Sequence, residues 1–97
     1  MTDMTKIASE YVEVAVGDGT RMLAWVARPA DAESLRGLVV FQEAFGVNSH
    51  IRNVTDRFAG LGFTAIAPEL FHRTAPPKFA GAYDNFSAIM PHIQERV

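Results

Sequence analysis

The sequence predicts an α/β fold in which a β-hairpin precedes a right-handed βαβ unit. Two short apolar runs, Leu38-Val39-Val40-Phe41 and Phe63-Thr64-Ala65-Ile66-Ala67, read as strands. Between them Ile51, Val54, Phe58 and Leu61 recur every three or four positions, the spacing of one helical face. Upstream, residues 11–16 and 21–28 form two further strand-like stretches separated by Gly17-Asp18-Gly19, a tight reversal.

In chain order, residues 1–9 are polar and are expected to be a disordered terminus. Residues 11–16 alternate apolar bulk with small or charged side chains, and residues 21–28 return beside them as the second strand of the hairpin. Residues 29–36 make a solvated connection. The Leu38 run is apolar on both faces, which suits a strand buried in a parallel sheet. Residues 42–46 break the run, and Asn48 or Ser49 can accept a hydrogen bond from the free N–H groups of a helix starting there. Gly62 suits the left-handed conformation of a helix end. Pro68 stops the last strand because it has no N–H to give a sheet. Residues 74–82 carry two prolines and a glycine and read as a loop. Asp84 can cap a final helix with Phe86, Ile89, Met90, Ile93 and Val97 on one face, which Pro91 interrupts.

Composition narrows the function. With 97 residues, 48% hydrophobic and a formal charge of −2, the chain is expected to form one small domain, or part of one, over residues 1–97. That balance offers no basic patch for nucleic acid and no polybasic face for a membrane. No apolar run approaches the roughly 18 residues of a membrane span. A polar start without the apolar core of a signal peptide favours a cytoplasmic location. The absence of cysteine removes disulfides, thiolate metal sites and cysteine nucleophiles from these residues.

A parallel strand pair ends at a single sheet edge, and ligands of open α/β sheets sit beyond that edge. Residues 42–46 leave the first strand there, and residues 68–73 leave the second. Glu43 is therefore the first candidate for chemistry, with a solvated loop residue or a helix cap as the plainer readings. A carboxyl group there, facing a cleft, is expected to have a raised pKa through desolvation unless a partner compensates. Phe45 reads as a pocket wall or ordinary core, and Glu69 as a structural carboxylate bonding loop N–H groups. Arg73 could meet a substrate carboxylate through a bidentate pair, or simply be solvated. Glu69 and His72 share a spacing seen in metal pairs, but nothing else completes a ligand set, so no metal or cofactor is expected. Ser9, Ser34, Ser49 and Ser87 lack a nucleophile elbow.

These residues resemble a known family. The hairpin and the segment GLVVFQEAFGVNSHIRNVTDRFAGLGFTAIAPELFHR resemble the N-terminal part of the dienelactone hydrolases, a branch of the α/β-hydrolase fold. The specific match is the Gln-Glu-x-Phe-Gly-Val-Asn run beginning at Gln42; Pro68-Glu69-Leu70-Phe71 answers to the family's Pro-Asp-Leu-Tyr-like run. The likeness covers residues 10–73. It implies a hydrolase acting on a small-molecule lactone or carboxylic ester. Glu43 then matches the buried glutamate that lies against the nucleophile, and Ala44 the residue whose backbone N–H contributes to the oxyanion hole. Such a donor lowers the barrier by ~2.7 to 4 kcal/mol.

The departure from the family pattern is that no Gly-x-Ser-x-Gly or Gly-x-Cys-x-Gly elbow occurs. The expectation is an N-terminal fragment whose partner is the missing C-terminal part of the same fold, and which is inactive alone. Two rivals remain. One is a small α/β domain holding an anion on the helix start near Ser49. The other is a non-catalytic piece that pairs its open sheet edge with another chain.

Overall fold

The computed structural model describes residues 6–30 and 36–81. The expected helix near residues 84–97, and most of the expected connection at residues 29–36, lie outside those residues. Strands β1 (Ile7–Ala15) and β2 (Arg21–Pro29) form the hairpin, followed by β3 (Gly37–Val39), helix α1 (Ser49–Gly60) and β4 (Thr64–Pro68). They make a mixed sheet in the order β1-β2-β4-β3. Strands β1 and β2 pair antiparallel, β2 and β4 antiparallel, and β3 and β4 parallel. The parallel pair joined by α1 is the βαβ unit expected.

The hairpin turn is closed by Val16 N–H to the Thr20 carbonyl at 2.8 Å and Gly19 N–H to the Val16 carbonyl at 3.0 Å, with Gly19 at φ 88°. Strand β1 begins at Ile7, earlier than the expected start at Tyr11, so Ile7, Ala8 and Ser9, expected to belong to a disordered terminus, lie in a strand, while residues 1–5 lie outside the described residues. The reason is backbone pairing: β2 runs on to Pro29, and Ile7, Ala8 and Ser9 find partners in Pro29, Arg28 and Ala27 whatever their side chains.

Helix α1 is bounded by the caps its sequence implies. Asn48 is the N-cap, its Oδ1 accepting from Ile51 N–H at 3.0 Å. At the other end Gly62 at φ 101° donates to the Ala59 carbonyl, and Phe63 donates to the Phe58 carbonyl. That is the Schellman arrangement, completed by Phe58 and Phe63 rings 6.0 Å apart.

The buried face of α1 differs from the expected stripe. Ile51, Thr55, Ala59 and Gly60 are buried, whereas Val54 and Phe58 are half-buried and Leu61 is 58% exposed. The sheet decides this. The register puts Ala27, Ala65, Trp25 and Ala67 on the face that meets α1. Small alanines let the backbones approach, so the helix turns its own small residues inward. The local core joins Val47, Ile51 and Ala67 with Trp25 and Val40 packed against it. Trp25 also donates from Nε1 to Asp56 Oδ1 at 2.8 Å, anchoring the helix to β2.

Strand β3 is the outer strand of the described sheet, not a strand covered on both faces as expected. Val39 is 50% and Phe41 67% exposed, because nothing among the described residues pairs with or covers that edge. Among the described residues no helix is long and apolar enough to cross a membrane.

Candidate functional site

The strand ends after β3 and β4 share one rim, and a single side chain joins them. Gln42 Oε1 accepts from Leu70 N–H at 2.8 Å, while Gln42 Nε2 donates to the Glu43 carbonyl at 3.1 Å. The same carbonyl accepts from Gly46 N–H at 3.1 Å, closing a four-residue turn over Glu43, Ala44, Phe45 and Gly46. Glycine is required at the end of that turn. Gly46 has φ 83°, and a Cβ there would lie 2.5 Å from the Phe79 carbonyl oxygen. Gly81 N–H donates to the Phe45 carbonyl at 2.9 Å, so residues 79–81 hold the turn from its outer side.

Within this turn Ala44 is half-buried, and its N–H has no acceptor among the described residues. Phe45 is half-buried beside it. The Glu43 side chain is exposed, contrary to the expected burial in a cleft. The cause is the open rim: β3 lies at the edge of the described sheet, and no described element stands over Glu43.

The desolvated carboxylate is Glu69, which is 6% exposed. Burial pushes its pKa above the ordinary 4.5, opposed by the Lys78 N–H bond and the nearby Lys78 and Arg52 charges. Both its oxygens accept from Lys78 N–H, at 3.0 and 3.1 Å, and Lys78 is held at φ 62°. Glu69 thus bonds one loop N–H, that of Lys78, in keeping with the structural role expected of it. His72 Nε2 lies 2.9 Å from Thr20 Oγ1 at the hairpin turn.

Arg73 is exposed and set apart from the Glu43 turn: its Nε donates to Asp18 Oδ2 at 2.8 Å. Thr20, through its side chain and then its backbone, and next Arg73 hold the Asp18 carboxyl well below its usual range. The structure therefore brings Glu43, Ala44 and Phe45 into one turn and places Arg73 against the hairpin. A cavity of about 150 Å³ lined by Glu13, Arg21, Leu23, Glu69 and His72 includes none of the four. Among the described residues no group of three or more His, Cys, Asp or Glu side chains is arranged to hold a metal ion.

Sequence reasoning gave no role to Gln42 or Gly46, the residues that build the turn. Their signal was present in the motif: an amide side chain at the end of an apolar strand, and a glycine three residues after the glutamate. The rival anion site at the helix start is weakened, since Asn48 already occupies Ile51 N–H.

Residues 22–97 match the sequence profile of the dienelactone hydrolase family. A provisionally named carboxymethylenebutenolidase of Azospirillum brasilense is 43% identical over 65 residues, 67% of this chain and 28% of that protein. A protein of Synechocystis with the same provisional name is 45% identical over 75 residues, 77% of this chain and 27% of its own length. The crystal structure of a provisionally assigned dienelactone hydrolase from Klebsiella pneumoniae superposes with a TM-score of 0.71 at 30% identity, covering 92% of this chain and 42% of that one. The chain thus spans less than half the length of these relatives, and its mixed α/β sheet matches part of their fold.

Proposed function

Because the chain belongs to the dienelactone hydrolase family, we propose that it forms one wall of the active site of a carboxylic ester or lactone hydrolase, with the nucleophile supplied by residues beyond these. The observation that carries this reading is the Glu43–Gly46 turn, which presents the Ala44 N–H, without an acceptor among the described residues, and the Glu43 carboxylate together at the sheet rim. When a nucleophile attacks the substrate carbonyl, the electron pair of the C=O bond moves onto oxygen. A peptide N–H fixed at that point stabilises the charge without reorganising. Glu43 would take a proton from the nucleophile and return it as the tetrahedral intermediate collapses and the ester oxygen leaves.

The relatives' name, carboxymethylenebutenolidase, denotes action on an unsaturated lactone that carries a carboxylate. Phe45 suits the apolar wall beside such a ring. Arg73, although it sits against the hairpin and apart from the turn, is the candidate for its carboxylate, since among the described residues only its Nε is held, by Asp18, and its terminal nitrogens can form a bidentate pair. No nucleic acid, membrane or cofactor enters this mechanism. The 97-residue chain contains no elbow motif, so by itself it is inactive.

The test is hydrolysis of an activated ester and of a carboxylated enol-lactone, by this chain alone and by this chain joined to the nucleophile-bearing remainder of the fold. The expected result is turnover only in the joined protein, with a loss of at least about 100-fold for Glu43→Ala. Turnover by the isolated chain above its own Glu43→Ala control, or unchanged turnover in the joined variant, overturns the proposal.

A further inference from the structure

The strongest unused feature of the rim is the bonding of the Gln42 side chain. Its two ends do different things: Oε1 accepts from Leu70 N–H after β4 at 2.8 Å, and Nε2 donates to the Glu43 carbonyl after β3 at 3.1 Å. The Glu43 carbonyl belongs to the peptide whose N–H is that of Ala44. None of the described peptides is cis, so this carbonyl and this N–H point in opposite directions across one rigid plane. With its carbonyl held by Gln42 Nε2 and Gly46 N–H, the plane has one orientation, and the Ala44 N–H is turned outward from the turn.

We propose that Gln42 is a positioning residue for hydrolysis, locking the Glu43–Ala44 peptide plane so that the Ala44 N–H stands ready as an oxyanion donor. The inference rests on the hydrolase reading above and deepens it. Without the amide of Gln42, the plane is held by Gly46 N–H alone. A peptide flip, which exchanges a donor for a carbonyl oxygen at the same place, then becomes accessible. The Leu70 bond matters equally, because it registers the amide against β4 and so fixes the donor relative to both strands of the rim.

The experiment compares Gln42→Glu and Gln42→Met with the parent in the joined protein, following kcat and KM on an activated ester, with Glu43→Ala alongside. Gln42→Glu keeps an acceptor for Leu70 N–H but puts a carboxylate oxygen against the Glu43 carbonyl; Gln42→Met removes both bonds at nearly the same volume. The expected result is a kcat roughly 10- to 100-fold lower in both, with KM within about threefold, since the lost interaction is made in the transition state. Amide exchange and ¹⁵N shifts supply a readout without turnover. In the parent, Gly46 and Leu70 amides are expected to be protected and Ala44 to exchange freely, and Gln42→Glu is expected to shift Ala44 while leaving Leu70 protected.

Unchanged kcat in a folded Gln42→Glu protein overturns the proposal, as does a protected Ala44 amide in the parent, which needs no variant to fold. If Glu43→Ala is impaired while both Gln42 variants are not, the positioning role alone fails. If Glu43→Ala is fully active, the hydrolase reading fails and carries the positioning role with it.

Discussion

Glu43 and Glu69 follow the two parallel strands onto one rim, yet their surroundings are opposite. Glu43 is exposed; Glu69 is 6% exposed with both oxygens on Lys78 N–H. Sequence position alone pointed to Glu43 as the buried carboxylate, whereas Glu69 is the buried one, because burial depends on what lies across the chain and not on where a strand ends. The raised pKa of Glu69 has a sign in stability. The folded state holds that proton more tightly than the unfolded chain does. Stability is therefore expected to fall as pH rises from 4.5 through the higher folded value. Glu69→Gln, which still offers an oxygen to Lys78 N–H, is expected to flatten that slope, measured by urea denaturation at pH values on either side of 4.5. A slope unchanged by Glu69→Gln sinks this account. Asp18 acts oppositely. Its bonds to Thr20 and Arg73 favour the ionised form, so its contribution is present above 3.8 and lost as pH falls below it.

At the scale of the element, α1 shows which parts of a helix a sequence specifies. Asn48 and Gly62 were readable as its limits because a cap is local chemistry: a side-chain oxygen for an orphan N–H, and a left-handed residue for the last turn. Asn48→Ala is expected to lower the unfolding free energy by about 1 kcal/mol. Chemical denaturation checks this, and an effect near zero would mean that water replaces the cap without loss. The helix face was not readable. Counting apolar residues selects Val54, Phe58 and Leu61, but the alanines of β2 and β4 admit Thr55, Ala59 and Gly60 instead. Thr55 has no exposed surface and donates its hydroxyl to the Ile51 carbonyl at 2.7 Å. Thr55→Leu is accordingly expected to destabilise by about 1–3 kcal/mol through overpacking, although it adds apolar bulk.

At the scale of the whole molecule, one helix covers one sheet face among the described residues. The register gathers Val12, Val14, Val26, Ile66 and Val39 on the other face, where they are half-buried or exposed. With Phe41 at 67% exposure just beyond the edge strand, this is an apolar surface of the kind that drives association. The isolated chain is expected to self-associate in sedimentation experiments. The double substitution Val39→Lys and Phe41→Lys is expected to shift it toward monomer at nearly unchanged stability, and monomeric behaviour of the parent at high concentration would contradict this. The sequence by itself determined the strand and helix order, the caps of α1, the Gln42–Asn48 motif and hence the family, because each depends on neighbours close along the chain. Only the tertiary structure decided which helical face is inside, which glutamate is desolvated, and that Gln42 ties Leu70 to the Glu43 carbonyl. Those outcomes depend on residues that fold topology brings together from distant positions, and neither spacing nor periodicity carries that information.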